Sequence, residues 1–178
     1  MDLQTTEKIP RVLIVDDDEM IPHSLRHFSD HFGVPMDLEY APDVGVAVDK
    51  INGKCFDAAV LDVRLPGVTG ASLGALIREY DVNLPLAYLT NLDTEAVRLE
   101  AAAQHAVFLE KIRWFSSPDA THTLLKIIQE MARQNPCLDG GLRMDNHGFP
   151  RQLKETPVVL PDVLKTLLGY SRAIAMAA

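Results

Sequence analysis

Four apolar segments of the chain each run into side chains that can take part in chemistry. The side chains are three carboxylates, a hydroxyl and an amine, namely Asp16, Asp17, Asp62, Thr90 and Lys111. Short apolar runs of this kind, bounded by turn residues, are typical of strands buried on both faces of a parallel sheet. Ligands bind beyond the carboxyl ends of such strands. We therefore expect these side chains to gather at one edge of a sheet.

Three carboxylates at one edge predict a divalent cation. Like charges that lie so close raise one another's pKa unless a cation lies between them. Oxygen ligands, with room for water and phosphate, suit Mg²⁺. Transfer of a phosphoryl group to Asp62 would then need mainly positioning and neutralisation of charge, to which the Lys111 ammonium and the Thr90 hydroxyl would contribute. The simpler alternative is that Asp62 only caps the turn containing Pro66 and Gly67.

Hydrophobic periodicity predicts five strands that alternate with five helices. The predicted strands are 12–15, 36–40, 56–63, 84–90 and 106–109, and the predicted helices are 19–32, 42–51, 70–80, 93–104 and 117–133. Such alternation implies right-handed crossovers and a doubly wound α/β fold with a five-stranded parallel sheet. The strand ends that carry the candidate residues would then lie side by side.

Composition is ordinary for a globular protein and narrows the range of functions. The 178 residues, of which 47% are hydrophobic, carry a net charge of −8, which argues against non-specific binding of nucleic acid. No apolar run reaches the length of a membrane span, and no signal peptide is evident at the N-terminus. Cys55 and Cys137 have no motif spacing and weakly indicate a reducing compartment. We therefore expect a cytoplasmic protein with no membrane partner.

The pattern changes after Gln134, so we divide the chain into a domain over residues 9–134 and a C-terminal extension over residues 135–178. Glycine and proline are dense at the start of the extension, as in linkers and turns. We predict a hairpin over 142–153 and an amphipathic helix over 162–176 that needs a surface to pack on. The extension carries five basic and four acidic residues, and therefore no basic patch for direct binding of nucleic acid.

The chain resembles the receiver domains of bacterial two-component response regulators and is similar to the single-domain chemotaxis receivers. The resemblance covers roughly residues 9–134. It is carried by four motifs at predicted strand ends, Leu13-Ile14-Val15-Asp16-Asp17, Leu61-Asp62-Val63-Arg64-Leu65-Pro66-Gly67, Leu89-Thr90 and Phe108-Leu109-Glu110-Lys111. The resemblance implies a flavodoxin-like sheet with strand order 2-1-3-4-5. It also implies Mg²⁺-dependent phosphorylation of Asp62 by a sensor histidine kinase or a phosphotransfer protein.

The same resemblance assigns roles at the metal site. Asp17, Asp62 and the main-chain carbonyl of Arg64 would bind Mg²⁺ directly, and Asp16 would act largely through water. The resemblance therefore implies that the acids form a metal site and that Asp62 is both a metal ligand and the phosphoacceptor.

The resemblance further implies a switch. Thr90 and Phe108 would respond to phosphorylation and shift the face built from the fourth helix, the fifth strand and the fifth helix. That face would dock a downstream protein or a second copy of the chain. Phe108 is equally compatible with an ordinary core aromatic, since a switch requires two populated rotamers.

Three features depart from the family pattern. Ile112 stands where proline usually follows the lysine, often in a cis bond, and Asn91 stands where a small residue usually follows the threonine. Several extra residues, around 113–116, separate Lys111 from the last helix. Because these changes affect the geometry of Lys111 and access to Asp62, we expect slow exchange of the phosphoryl group with donors or with water.

Other functions stay open. One is a receiver-like interaction module that is never phosphorylated, which the unusual surroundings of Lys111 favour slightly. Another is an enzyme, a phosphatase of the haloacid-dehalogenase kind, whose motif resembles Asp-x-Asp-x-Thr. Here the segment Asp16-Asp17-Asp18-Glu19-Met20 lacks the threonine, so we expect a signalling protein that is not an enzyme. The chain is also compatible with the front part of a longer regulator.

Histidines recur at every fourth position of the first predicted helix, at His23, His27 and His31. Two histidines four residues apart can share a metal ion such as zinc, but no fourth ligand is evident. We favour a solvated stripe or a contact with a kinase, because the resemblance places kinase docking on this helix.

Overall fold

The computed structural model describes residues 8–138, 142–144 and 150–152. Its long strands are β1 (Arg11–Val15), β2 (Asp37–Ala41), β3 (Ala58–Leu61), β6 (Leu86–Thr90) and β7 (Val107–Glu110). Its short strands are β4 (Arg64–Leu65), β5 (Val68–Thr69), β8 (Cys137–Leu138), β9 (Leu142–Met144) and β10 (Pro150–Gln152). The helices are α1 (Met20–Phe32), α2 (Val44–Gly53), α3 (Gly70–Tyr80), α4 (Glu95–Ala103), α5 (Lys111–Trp114) and α6 (Pro118–Gln134).

The long strands form one parallel sheet in the order β2-β1-β3-β6-β7. Numbered among themselves, the five long strands have the order 2-1-3-4-5. The predicted fold class, a doubly wound α/β sheet of flavodoxin-like order, is therefore confirmed. The order changes direction at β1, with β2 on one side and β3 on the other, so the carboxyl ends of β1 and β3 flank a topological switch point, where ligands bind in such sheets.

Both faces of the sheet are buried, which explains why the central strands are apolar at every position. Alternate residues of a strand point to opposite faces. Leu13 and Leu61 belong to the core under α2, α3 and α4, whereas Ile14 and Val60 belong to the core under α1 and α6. Each long central strand thus needs two apolar faces, and the carboxylates appear only where the strand leaves the core.

Helix ends follow local signals in the sequence. Ser117 is the N-cap of α6: its hydroxyl accepts a hydrogen bond of 3.2 Å from the Ala120 N–H, and Pro118 follows in the first turn. Gly33 ends α1 with a φ of 62°, in the left-handed region that glycine adopts without strain.

Neither the ribbon formed by β4 and β5 nor the helix α5 was predicted. The strands β4 and β5 form a two-stranded antiparallel ribbon whose turn is Pro66-Gly67, and Gly67 has a φ of 75°. Proline followed by a glycine of positive φ is the pattern of a type II turn. The short helix α5 begins at Lys111 and includes Arg113 and Trp114 of the extra segment, and its four residues are too few for periodicity to mark a helix.

The extension begins with a three-stranded antiparallel sheet of order β10-β9-β8. The predicted hairpin over 142–153 is confirmed, since β9 pairs antiparallel with β10. The predicted amphipathic helix over 162–176 lies outside the described residues. The division of the chain after Gln134 stays a prediction.

Cys55 and Cys137 form a disulfide, with their Cα atoms 6.1 Å apart. Because the two cysteines are paired, they are not a sign of a reducing compartment, and that prediction is wrong. The pairing could not be predicted because the cysteines lie 82 residues apart in sequence and only the fold brings them together. The bond ties the loop before β3 to the start of the extension. Within the described residues, no helix is both long and apolar enough to cross a membrane.

Candidate functional site

The three predicted acids meet at the carboxyl edge of the sheet. Asp16 and Asp17 directly follow β1, and Asp62 directly follows β3. The parallel register pairs Val15 with Leu61, and the Asp62 N–H donates a 2.8 Å hydrogen bond to the Val15 carbonyl. As a result, each acid offers a carboxylate oxygen that lies within 4.8 Å of one from each of the other two.

Lys111 is the first residue of α5, directly after β7, and its side chain reaches the acidic cluster. Its Nζ lies 2.7 Å from Asp16 Oδ2 and 2.6 Å from Asp62 Oδ2. The lysine is only 7% exposed, and Asp16 and Asp62 are also buried, whereas Asp17 is exposed. One ammonium thus bridges two buried carboxylates and leaves a third beside them without a cation in the described structure.

Burial and ion pairing shift the pKa values of Asp16 and Lys111 in opposite directions. Burial raises the pKa of Asp16 above its ordinary value, although the hydrogen bond from Lys111 works against this shift. Burial lowers the pKa of Lys111, but the hydrogen bonds to Asp16 and Asp62 outweigh it, so the pKa is raised overall. Lys111 therefore carries its positive charge at neutral pH, as neutralisation of an anionic group at this site requires.

Asp62 also closes its own turn. The Arg64 N–H donates a 3.1 Å hydrogen bond to Asp62 Oδ1. The simpler interpretation of Asp62 as a turn cap thus describes one of its oxygens, while the other oxygen faces Lys111. The turn brings the main chain of Arg64 next to the carboxylate, and its carbonyl as a metal ligand stays a prediction.

Thr90 and Phe108 lie on neighbouring strands beside this cluster. Thr90 is the last residue of β6 and is fully buried, and its Oγ1 accepts a 3.1 Å hydrogen bond from the Leu92 N–H. Phe108 is half-buried on β7, and the guanidinium of Arg98 on α4 lies 4.5 Å from the centre of its ring. Their switching roles stay predictions, but their strands do border the predicted output face.

Gly70 supports the site and was missed as a functional residue. It begins α3, and its N–H donates a 2.9 Å hydrogen bond to the Val63 carbonyl. A Cβ at this position would overlap the main-chain oxygen of Asp62. Only glycine therefore lets α3 start this close to Asp62, and the signal available in the sequence was no more than a glycine at a predicted helix start.

The histidine stripe does not gather into a metal site of three ligands. Within the described ranges, the only group of three or more potential ligands close enough to share an ion is the acidic cluster. The rings of His27 and His31 stack with their centroids 6.4 Å apart, and Phe32 stacks on His122 of α6. The stripe is exposed on α1, as predicted for a solvated or partner-facing surface.

Known proteins share this fold and these segments. The chain is 31% identical over 133 residues to the response regulator MprA of Mycolicibacterium vanbaalenii, an alignment that covers 73% of this chain and 53% of MprA. The receiver domain of a Francisella response regulator superposes with a TM-score of 0.57 at 27% identity, covering 68% of this chain and 97% of that domain.

A third similar structure is the response regulator TrrA of Thermotoga maritima, solved in complex with Mg²⁺ and a beryllium fluoride. It has a TM-score of 0.53 at 21% identity and covers 65% of this chain and 99% of its own, which shows a shared fold. The chain spans about half the length of MprA, so the activity of that whole protein does not transfer with the alignment.

The family model of the response regulator receiver domain matches residues 12–112, more than half of the chain. That span runs from the first buried residue of β1 to the residue after Lys111 and so includes every acid of the cluster. Since the sheet order, the ordered motifs and the family match agree, the chain belongs to the response regulator receiver family of two-component systems.

Proposed function

We propose that Asp62 is the phosphoacceptor of this receiver and takes its phosphoryl group from a histidine kinase or a phosphotransfer protein. The observation that carries the proposal is the Lys111 ammonium, held 2.6 Å from Asp62 Oδ2 inside a cluster of three acids. A buried lysine beside an aspartate at the switch point of a parallel sheet is suited to neutralise an incoming anion.

The reaction is a direct transfer between two side chains. An oxygen of the Asp62 carboxylate attacks the phosphorus of a phosphohistidine, so that an O–P bond forms as the P–N bond breaks. The electron pair of the broken bond stays on the imidazole nitrogen, and Asp62 becomes an acyl phosphate. Lys111 then pairs with an oxygen of the phosphoryl group in place of the Asp62 oxygen it holds now, and the Thr90 hydroxyl donates to another.

The donor set also fits Mg²⁺. Three carboxylates with oxygens within 4.8 Å of one another outnumber the single ammonium between them, and hard oxygen ligands are those that Mg²⁺ prefers. Asp17, Asp62 and the Arg64 carbonyl would hold the ion directly, and Asp16 largely through water. When bound, the ion supplies positive charge against the phosphoryl oxygens. TrrA, similar in fold, was solved with Mg²⁺ in its complex.

Phosphorylation would change the shape of one face of the receiver. Phosphorylated Asp62 would draw Thr90 inward and change the packing of Phe108, whose ring now lies under Arg98. The face formed by α4, β7 and α6 would then bind a downstream protein or a second copy of the chain. We place this exchange in the cytoplasm, a placement that the disulfide does not support. The net charge of −8 favours a protein partner over nucleic acid.

Intact mass after incubation with a small acyl phosphate donor and Mg²⁺ tests the proposal. We expect one added phosphoryl group in the wild type, and none in Asp62→Asn or in wild type treated with a chelator. Asp57→Asn is the matched control, because Asp57 is a buried aspartate at the other end of the same strand.

Each other outcome points to a specific error. No addition, even with phosphorylated kinases as donors, contradicts the proposal and favours a receiver-like interaction module. Addition that persists in Asp62→Asn means that another carboxylate is the acceptor. Addition that persists with chelator contradicts the Mg²⁺ requirement. Steady turnover of a generic phosphate ester that is lost in Asp16→Asn would favour a phosphatase.

A further inference from the structure

One hydrogen bond joins the two residues that follow Thr90 and Lys111. The Ile112 N–H donates to Asn91 Oδ1 at 3.0 Å. Asn91 lies in the loop between β6 and α4, and Ile112 is the second residue of α5. The bond therefore crosses between two loops of the site that are 21 residues apart in sequence.

The Ile112 N–H needs a partner that α5 does not supply. The first N–H groups of any helix have no acceptor within the helix, and they bond to a capping side chain or to water. Glu110, which precedes α5, makes no capping hydrogen bond with its side chain. Asn91 fills this role from the neighbouring loop, since its side-chain oxygen accepts the hydrogen bond that an N-cap side chain would accept.

We propose that Asn91 is a positioning residue for Lys111: its side chain holds the main chain directly after the lysine, so that Nζ stays between Asp16 and Asp62. This inference rests on the proposed phosphorylation of Asp62. A proline at position 112 would have no N–H to donate, so the bond depends on Ile112 as much as on Asn91. Asn91 and Ile112, two of the departures from the family pattern, are thus the acceptor and the donor of one hydrogen bond.

Asn91 also lines a cavity next to Lys111. Asn91, Lys111 and Ile112 line one cavity of about 430 Å³, together with Asp18 and Phe115. Substitution of Asn91 therefore changes two things at once, the hydrogen bond and the bulk in this cavity. A test has to separate them, because loss of the bond slows the reaction whereas loss of bulk opens access to Asp62.

Asn91→Leu and Asn91→Ala separate the two effects. Leucine keeps the bulk and removes the acceptor, and alanine removes both. We expect the rate of Asp62 phosphorylation by a small acyl phosphate to fall about 3- to 10-fold in Asn91→Leu, the range that one solvent-accessible hydrogen bond commands. Asn83→Leu, the same change at the opposite end of the sheet, should leave the rate within twofold of wild type. A normal rate in Asn91→Leu with a faster rate in Asn91→Ala would overturn the proposal.

A second readout needs no phosphorylation. In the wild type Lys111 is held by two carboxylates, so it should react with an acylating reagent more slowly than the exposed Lys126, which serves as the internal reference. Asn91→Leu should speed acylation of Lys111 at least threefold relative to Lys126. Asn91→Asp keeps an acceptor oxygen and should retain the protection.

The two readouts fail separately. If the wild type is not phosphorylated, the proposed function fails, while the acylation ratio still decides whether Asn91 positions Lys111. If the wild type is phosphorylated but the acylation ratio is the same in Asn91→Leu and in Asn91→Asp, Asn91 does not position the lysine and the inference is wrong.

Discussion

Both ends of the central sheet bury acids near a cation, but the bonding around those acids differs. At the carboxyl end, Asp16 and Asp62 share the single ammonium of Lys111, and Asp17 stands beside them. At the amino end, Asp57 and Asp81 each have their own set of fixed donors. The comparison shows that buried acids at the two ends differ in how many hydrogen-bond donors the fold supplies to each.

Asp57 illustrates the amino end. Its Oδ2 accepts a 2.7 Å hydrogen bond from the Arg11 N–H, and its Oδ1 accepts from the Cys137 N–H at 2.6 Å and from Lys8 Nζ at 3.1 Å. Two of the three donors are main-chain groups that cannot move away. Asp57 therefore joins β1, β3 and the start of the extension through three hydrogen bonds to its carboxylate.

Arg143, in the extension, also bonds to residues at the amino end of the sheet. Its Nε lies 2.7 Å from Asp81 Oδ2, and its other nitrogens donate to the carbonyls of Asn135 and Phe56. Arg143 is 2% exposed and Asp81 is 6% exposed. A buried ion pair thus binds the described part of the extension to the amino end of the sheet. At the carboxyl end, by contrast, three acids outnumber the one lysine, which favours the binding of an added cation.

Loss of the Arg143–Asp81 ion pair, at the amino end of the sheet, should lower the stability of the protein most. Arg143→Met leaves the Asp81 carboxylate buried without its cation, and we expect the free energy of unfolding to fall by about 3–5 kcal/mol. Urea denaturation measures the change. Arg11→Met is the matched control, because Arg11 pairs with Asp37 at the surface and should cost less than about 1 kcal/mol. Equal losses in the two variants would show that the extension is not held by the buried pair.

Removal of the disulfide should have the next largest effect. We expect the double variant Cys55→Ala, Cys137→Ala to lose about 2–4 kcal/mol in urea denaturation, since the bond closes a long loop of the unfolded chain. A reducing agent should lower the stability of the wild type by a similar amount and leave the double variant unchanged. If the reducing agent lowers both equally, the two cysteines are not bonded in solution.

The smallest effects come from matched Asp→Asn changes at the two ends. Asp57→Asn should lose about 1–3 kcal/mol, because an amide cannot accept at both ends the hydrogen bonds that the carboxylate accepts. Asp17→Asn should leave the metal-free protein unchanged or stabilise it by less than about 1 kcal/mol, since it removes one of three like charges. Thermal unfolding in chelator measures both. Destabilisation by both changes to the same extent would contradict the distinction between the two ends.

Much of the receiver fold was predictable because its signals are local. A buried strand is an apolar run, and the acid that follows it marks where the run leaves the core, so Asp16 and Asp62 could be placed from their own neighbourhoods. The caps at Gly33 and Ser117 were predictable for the same reason. The helix α5 was not, because it is too short to show a period.

The sequence by itself determined the alternation of strands and helices, the parallel sheet and the set of candidate side chains at its carboxyl edge. Only the tertiary structure decided that Lys111 bridges Asp16 and Asp62, that Gly70 packs on the main chain of Asp62, and that Asn91 caps Ile112. It also decided the pairing of Cys55 with Cys137. Periodicity and caps depend on near neighbours in the chain, whereas these contacts join residues that are near only after the sheet has formed.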